Sequence, residues 1–206
     1  MATVVTHAVT SLDGFIARPD DSVGPIFDWY ENGDTALVGA GGRWTFHVSR
    51  ASAEYAQPWW DSCRAVVMGR RLFDTTNGWN GVPSVGEHVF VVTHQAPTDW
   101  VPSETLSAAE APFTFVTTGV ADAVAQAREL AGDGAVAVCA GDVGGQAVAA
   151  GLVDEIAIDV APVLLGRGKR YFGTADVPEG LLEDPVVVQG ERVLHLRYRV
   201  RNRPVT

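Results

Sequence analysis

The chain alternates short apolar runs with segments of helical character, and this alternation limits the folds that it can adopt. Each of five short apolar runs is followed by polar or turn-forming residues, which is typical of buried strands. These runs span residues 4–9, 65–68, 88–93, 113–119 and 135–141. Short helices are predicted at residues 72–77, 121–130 and 143–150. Strands that alternate with helices pair in parallel, so the sequence predicts an α/β fold with a mostly parallel central sheet flanked by helices.

The last part of the chain predicts an antiparallel edge to this sheet. Residues 155–165 form a further strand, interrupted or bent at Pro162, and a hairpin follows with its turn at Gln189 and Gly190. Alternation in the second arm of the hairpin separates an apolar face, with Leu194, Leu196, Tyr198 and Val200, from a polar face with His195, Arg197 and Arg199.

The segment 17–48 does not fit the alternation. It contains the turn-forming stretches PDDSVGP and VGAGGRW together with five aromatic residues. We interpret it as an irregular, aromatic-rich insertion or lid that packs over another part of the molecule. After it, Ser49 is expected to cap a helix, and Pro58 to kink or end that helix. The chain shows no repeat and no clear break, which favours a single domain over residues 1–206.

Charge and composition exclude several classes of partner. The 206 residues carry a formal net charge of −10, which argues against nucleic acid and anionic membranes as partners. No apolar run is long enough to span a bilayer, and the amino terminus does not resemble an export signal. Cys63 and Cys139 lack metal-ligand spacing and are expected to be buried free thiols. We therefore expect a cytoplasmic protein.

The residues that follow the strands indicate an anionic ligand. In open α/β sheets, ligands bind beyond the carboxyl ends of the strands. There the sequence places glycines, hydroxyl groups, a histidine and the adjacent arginines Arg70 and Arg71. Glycine turns and helix starts suit phosphate oxygens, and arginine suits a phosphate monoester. Two alternatives stay open: the arginines are surface residues of a helix, or the CAGDVGG stretch is only a tight connection.

Other enzyme classes lack their motifs. No His, Cys and carboxylate residues have the spacing of a metal site, and no serine lies in a G-x-S-x-G elbow. Metallohydrolase and serine hydrolase activities are therefore set aside.

Four stretches in the same order along the chain resemble the dihydrofolate reductase-like family. They are AVTSLDGFIARPD, VVMGRRLFDTT, VFVVTH and GLVDEIAIDVAPVLLGRGKRYF. The closer match is the branch typified by the reductase domain of bacterial riboflavin biosynthesis, here without the zinc signature of a deaminase domain. The resemblance implies NADPH as hydride donor, a small heterocyclic substrate and a homodimer.

The resemblance also implies roles for individual residues. Near the adenosine-side phosphates it places Gly69, Arg70 and Arg71, and beside the 2′-phosphate it places Thr93 and His94. Around the pyrophosphate it places Ala140, Gly141, Asp142, Val143, Gly144 and Gly145. Ser11, Asp13 and Gly14 would lie near the nicotinamide and the substrate. The chain departs from the family at Cys139 and Ala140, where two glycines are usual, and at Asp142, whose charge is unfavourable near phosphates unless it caps a helix.

Proton delivery and substrate contact are assigned to a few candidates. Asp13 and Glu54 are the candidate catalytic carboxylates, and Asp28 is a third carboxylate near the substrate. Trp29, in the aromatic segment, would stack on a planar heterocycle, although these aromatics fit a dimer contact or a lobe core equally well. Two other functions stay open: a reductase-fold protein that uses flavin or deazaflavin, and a non-catalytic binding protein with a degenerate cofactor site.

Overall fold

A central sheet organises the chain. The computed structural model describes residues 1–103, 106–180 and 182–201, and within them the largest sheet has eight strands in the order β11-β12-β9-β1-β8-β5-β6-β7. The six strands from β9 to β7 in this order run parallel to one another, and β12 pairs antiparallel with both β9 and β11. The strands are β1 (Thr3–Ser11), β5 (Cys63–Gly69), β6 (His88–Val92), β7 (Phe113–Val116), β8 (Ala135–Cys139), β9 (Glu155–Ala161), β11 (Val186–Gly190) and β12 (Val193–Arg199). The predicted fold class is confirmed.

Helices cover both faces of the sheet. They are α1 (Arg50–Ser62), α2 (Arg70–Asn80), α3 (Val120–Ala131) and α4 (Asp142–Ala149). Trp59 of α1 and Phe73 of α2 pack on one face, and the buried alanines and valines of α3 and α4 pack on the other. Among the residues described above, no helix combines the length and the apolar character that crossing a membrane requires.

Two expectations about the helices need correction, and one is confirmed. The Ser49 hydroxyl accepts the backbone N–H of Ser52, so the predicted cap is present. Pro58 does not end α1, which continues to Ser62 and keeps Trp59 buried in the core. Helix α2 begins at Arg70, two residues earlier than predicted, because the strand before it ends at Gly69.

The carboxyl-terminal hairpin has its turn two residues later than predicted. Gly190 still pairs with Val193, so the turn consists of Glu191 and Arg192. Arg192 has a φ of 58°, a left-handed conformation that is uncommon for residues other than glycine. A Cβ at Gly190 would lie 2.1 Å from the Ser52 hydroxyl oxygen, so the absence of a side chain lets α1 approach the ladder. The glycine is thus required for close packing and not for the turn.

The segment 17–48 is more regular than predicted. It contains 3₁₀ helices at Gly24–Glu31 and Ala40–Gly42 and a small sheet of β3 (Thr35–Val38) and β4 (Thr45–Val48). Just outside it, β2 (Phe15–Ala17) pairs with β10 (Lys169–Arg170). Ile26, Trp29 and Leu37 form an apolar core with residues of β1, β9 and α1. The segment is thus a folded lobe that packs against β1, β9 and α1, and its role as a lid stays a prediction.

Gly145 in α4 provides a test of this packing, since a Cβ there would lie 2.1 Å from the carbonyl oxygen of Phe172. Helix propensity alone predicts that Gly145→Ala stabilises the protein, by about 1 kcal/mol. We expect the clash to dominate, so that the free energy of unfolding falls by about 1–3 kcal/mol. Urea unfolding measures the change. Gly180→Ala is the control, since its Cβ would meet nothing nearer than 4.0 Å, and equal stability of both variants would contradict the close approach.

Candidate functional site

Three helices begin without a capping side chain at one edge of the sheet. Helices α2, α3 and α4 follow β5, β7 and β8, and their N-cap residues are Gly69, Gly119 and Gly141, none with a side-chain hydrogen bond. Helix α1, which begins on the far side of the lobe, is capped by Ser49. The first N–H groups of a helix have no acceptor within the helix and carry partial positive charge. The carboxyl edge of the sheet therefore presents three uncapped helix starts, of which those of α2 and α4 follow neighbouring strands and those of α3 and α4 carry an aspartate in the first turn, Asp122 and Asp142.

The predicted turns after β5 and β8 lie side by side. A Cβ at Gly69 would come 3.1 Å from Cγ2 of Val143, which places the start of α2 against the first turn of α4. Gly141 has a φ of 93°, and among residues 1–103, 106–180 and 182–201 the atom found near the position of its missing Cβ is Cδ1 of Ile16, at 3.7 Å. Its backbone is consequently open on the side where a side chain would stand.

The other glycines of the predicted phosphate turn have a packing role. A Cβ at Gly144 would lie 2.9 Å from the carbonyl oxygen of Cys139, and Gly145 contacts Phe172 as described. Both glycines are buried. They bring α4 close to β8 and to the segment after β10. Ala140 is half-buried and donates its N–H to the carbonyl of His7 at 3.4 Å.

Arg70 contacts the turn after β6. Its Nη1 donates to the carbonyl oxygen of Gln95 at 2.9 Å, and its Nε donates to Asp74 at 2.7 Å. The same carbonyl accepts the Thr93 hydroxyl at 2.9 Å. His94 lies exposed between these residues. The structure thus brings together Arg70, Thr93 and His94, and their role at a cofactor stays a prediction.

Arg71 turns away from Arg70 and binds a carboxylate. Its Nε and Nη2 donate to Oδ1 and Oδ2 of Asp21 at 2.8 and 2.6 Å. The hydrogen bond from Arg71 lowers the pKa of Asp21 below its ordinary value. The two adjacent guanidinium groups therefore serve different loops, Arg70 on the side of β6 and Arg71 on the side of the loop after β2.

Asp142 does not cap α4. Its charge therefore does not meet the condition under which it would be favourable near phosphates. Its Oδ1 accepts the backbone N–H of Thr174 at 2.7 Å and the Thr174 hydroxyl at 2.9 Å. These hydrogen bonds lower its pKa, so that it is ionised at neutral pH. The carboxylate anchors the segment after β10 beside the first turn of α4.

Asp13 and Ser11 form the turn that ends β1. The Asp13 carboxylate accepts the N–H groups of Leu165 and Gly166 at 3.1 and 2.7 Å. The buried Ser11 hydroxyl exchanges hydrogen bonds with the backbone of Phe15. Hydrogen bonds to the carboxylate lower the pKa of Asp13. Its role as a catalytic carboxylate stays a prediction, although a carboxyl that is ionised at neutral pH is a poor proton donor.

The remaining predicted residues lie apart from this edge or inside the lobe. Glu54 lies on the exposed side of α1 and pairs with Arg50 at 2.7 Å, and Asp28 is also exposed. Trp29 is only 2% exposed, stacks on Tyr30 at 4.0 Å and meets the His195 ring edge to face at 5.2 Å. The structure does not bring Glu54, Asp28 and Trp29 together.

A buried polar network was missed from the sequence. Asp159 on β9 binds Nε2 of His7 on β1 at 2.7 Å and Nδ1 of His195 on β12 at 2.6 Å. Nε2 of His195 then meets the Ser52 hydroxyl of α1 at 2.9 Å. Burial alone would raise the pKa of Asp159, but the two histidines hold it at about 2. The alternation of β1, β9 and β12 puts these residues on the face toward α1, and the strand order is the signal that would have found them.

A comparison with known families assigns the chain. The model of the RibD C-terminal domain matches residues 2–196. The chain belongs to the RibD C-terminal domain family. None of the curated proteins gives a significant match.

Solved structures of this family and of its wider fold resemble the chain. A Shewanella sp. PV-4 protein assigned to riboflavin biosynthesis is 21% identical, with a TM-score of 0.64 over 98% of this chain and 100% of that one. A pyrimidine reductase-like protein of Corynebacterium diphtheriae is 14% identical, with a TM-score of 0.64 over 98% and 93%. Dihydrofolate reductase of Enterococcus faecalis, in complex with NADP(H), is 13% identical, with a TM-score of 0.56 over 97% of both chains. At these identities the likeness establishes the dihydrofolate reductase-like fold, which confirms the resemblance drawn from the sequence.

The role of Asp13 in the turn can be tested through the pH dependence of stability. A carboxyl whose pKa is lowered on folding stabilises the protein above its unfolded pKa, ordinarily 3.8, and loses this effect as the pH falls through the lower folded value. Asp13→Asn should therefore lower the thermal unfolding midpoint most at pH 5–7, with the difference from wild type narrowing below about pH 4. A difference that stays constant down to pH 3 would contradict a role for the charge.

Proposed function

We propose that the chain is an NADPH-dependent reductase that transfers hydride to a C=N or C=O bond of a small heterocyclic substrate. The observation that carries this proposal is the cluster of uncapped helix starts at the carboxyl edge, with Arg70 beside the Thr93–Gln95 turn. Membership of the RibD C-terminal domain family supports a reductase.

The residues at this edge fit a phosphorylated dinucleotide. The free N–H groups of the first turn of α4 and the open backbone of Gly141 suit a pyrophosphate. Val143 and Gly69 would bring the first turn of α2 to the same phosphates. The Asp142 carboxylate binds Thr174 through two hydrogen bonds, and its negative charge opposes phosphate binding at this turn. When bound, the reduced nicotinamide would supply hydride, and the protein would supply orientation and a proton.

Arg70 is the residue that we assign to the 2′-phosphate. Its guanidinium lies next to the Thr93–Gln95 turn, and His94 is exposed beside it. Arg71 would reach the adenosine-side phosphates after exchanging the Asp21 carboxylate for phosphate oxygens. Of the two arginines, Arg70 should therefore determine the preference for NADPH over NADH.

The substrate class that we propose is a pyrimidine or a pteridine. The support comes from the relatives, which include a pyrimidine reductase-like protein and a dihydrofolate reductase. Of the predicted substrate residues, Ser11 lies at the carboxyl end of β1, whereas Asp28 and Trp29 belong to the lobe. Dihydrofolate, a dihydropterin and the pyrimidine intermediate of riboflavin synthesis are the substrates to test, with NADPH oxidation followed by absorbance.

A second candidate is a ligand-binding protein without catalysis, or one that uses a flavin or deazaflavin. The carboxylates of Asp74 and Asp21, which already neutralise Arg70 and Arg71, favour a degenerate phosphate site. Failure to bind any nicotinamide nucleotide would select the non-catalytic protein, and a coloured purified protein would select the flavin.

Arg70→Ala tests the cofactor assignment. Loss of a charge-assisted contact to the 2′-phosphate should weaken NADPH binding by about 1–3 kcal/mol and leave NADH binding nearly unchanged. Titration calorimetry with both nucleotides measures the effect. Arg50→Ala is the matched control, since Arg50 forms the same type of i,i+4 pair with Glu54 on the far helix. An equal loss for NADPH and NADH would contradict the role of Arg70.

We also propose a homodimer that covers the free edge of the sheet. Strand β11 pairs only with β12 in the described residues, and apolar side chains are exposed on one face of this hairpin, namely Val187 (55%), Leu182 (38%) and Leu194 (36%). A second copy of the chain would remove this apolar surface from water.

Val187→Asp tests the dimer. A buried, unpaired charge should dissociate the dimer, measured as a halved mass in light scattering after size exclusion. Val101→Asp, at a side chain that is 69% exposed elsewhere, is the control and should leave the mass unchanged. A monomeric wild type would contradict the proposal.

A further inference from the structure

The network of His7, Asp159, His195 and Ser52 has one closed end and one open end. The side chain of His195 is fully buried and uses both ring nitrogens, whereas that of His7 is 20% exposed. Within residues 1–103, 106–180 and 182–201, Nε2 of His7 binds Asp159 and Nδ1 has no hydrogen-bond partner. The open end of the network is therefore an imidazole nitrogen with a free bonding position.

The buried carboxylate requires a positive charge beside it. The side chain of Asp159 is 5% exposed, and a charge removed from water to this extent must be paired. Arg197 lies on the same face of the sheet, but its Nε donates to Glu155 at 2.5 Å and is already compensated. The tyrosines that pack nearby, Tyr30 and Tyr55, carry no charge at neutral pH because burial raises their pKa. A proton on one of the two imidazoles would supply this charge.

The directions of the hydrogen bonds favour a neutral His195. Ser49 accepts two backbone N–H groups and donates its hydroxyl to Ser52 at 3.0 Å. The Ser52 hydroxyl can then donate to Nε2 of His195, whose Nδ1–H donates to Asp159. Every group is satisfied with a single proton on His195. A second proton in the network would therefore reside on His7, the more exposed ring, which would donate Nε2–H to Asp159 and retain an unbound Nδ1–H.

His7 lies next to the turn assigned to the cofactor. It pairs with Cys139 in the register of β1 and β8, and its carbonyl accepts the N–H of Ala140 at 3.4 Å. Gly141, the N-cap of α4, follows directly. Trp59 meets the imidazole edge to face at 5.4 Å and limits its rotation. The His7 backbone thus lies at the level where β8 ends, and its imidazole is restrained by Trp59 on the face of the sheet toward α1.

We infer that His7 is the proton donor of this site and that Asp159, His195 and Ser52 are positioning residues that keep it charged and oriented. This inference rests on the proposed function. Hydride adds to the carbon of a substrate C=N bond, and the Nδ1 proton of His7 passes to the nitrogen, which gives CH–NH. Two electrons and one hydrogen leave the dihydronicotinamide, which becomes the oxidised nicotinamide. The neutral imidazole then regains its proton from water, which reaches His7 because the ring is partly exposed.

The protonation states of the ring nitrogens test the inference without turnover. In ¹⁵N spectra of the histidine rings of the whole protein at pH 7, both nitrogens of His7 should be protonated, and only Nδ1 of His195. Asp159→Asn should shift His7 toward the neutral form. If that variant does not fold, the wild-type spectrum still decides: a neutral His7 or a doubly protonated His195 would overturn the inference.

Two further measurements separate this inference from the proposed function. Saturating NADPH should shift the ring signals of His7 but not those of His88, which binds Thr114 on β6 and β7. His7→Gln should leave NADPH affinity within about two-fold but slow the reduction of the active test substrate by about 10²–10⁴-fold. His88→Gln is the control and should retain activity. NADPH binding with an unshifted His7 or an unchanged rate overturns the donor role alone, whereas absence of NADPH binding contradicts the proposed function as well.

Discussion

The placement of the candidate site depends on one constraint of the parallel sheet. Strands that run in the same direction end at the same edge, so the helices that follow β5, β7 and β8 all begin there. Each of these helices begins at a glycine with no capping side chain, and the partial charges of their first turns add up at one edge of a protein with net charge −10. Helix α1 begins near the hairpin and has the usual serine cap. In the proposed function, the N–H groups left free at α2 and α4 would bind the phosphates of the cofactor.

The charged residues around this edge form separate pairs whose partners lie in loops. Arg71 holds the loop after β2 through Asp21, Asp142 holds the segment after β10 through Thr174, and Asp13 holds the loop after β9. These contacts fix the loops around the edge of the sheet. The Asp21 carboxylate also competes with any phosphate for the Arg71 guanidinium. The His7–Asp159–His195 network links β1, β9 and β12 and holds an ionised carboxylate on the face of the sheet toward α1. The net charge of −10 therefore does not indicate these local charged pairs, on which the proposed function depends.

The sequence predicts the strands and helices well because their signals are local. Apolar runs and helical spacing depend on neighbouring residues, and the predicted runs coincide with β5, β6, β7 and β8 to within a few residues. The resemblance assigns Arg70 and Arg71 to the same phosphates. Consecutive side chains of a helix point about 100° apart, however, so the two arginines reach different loops. His7 and Asp159 are separated by 152 positions, and only the strand order brings them together. The sequence predicts a turn at Gly190, but in the structure this glycine lies in the strand and allows α1 to approach the hairpin.

A crystal structure of the protein with NADPH tests the central claim most directly. The account predicts the pyrophosphate at the first turns of α2 and α4, the 2′-phosphate against the Arg70 guanidinium, and the nicotinamide on the side of His7. A nucleotide bound elsewhere on the surface, or one whose phosphates avoid both helix starts, would contradict it.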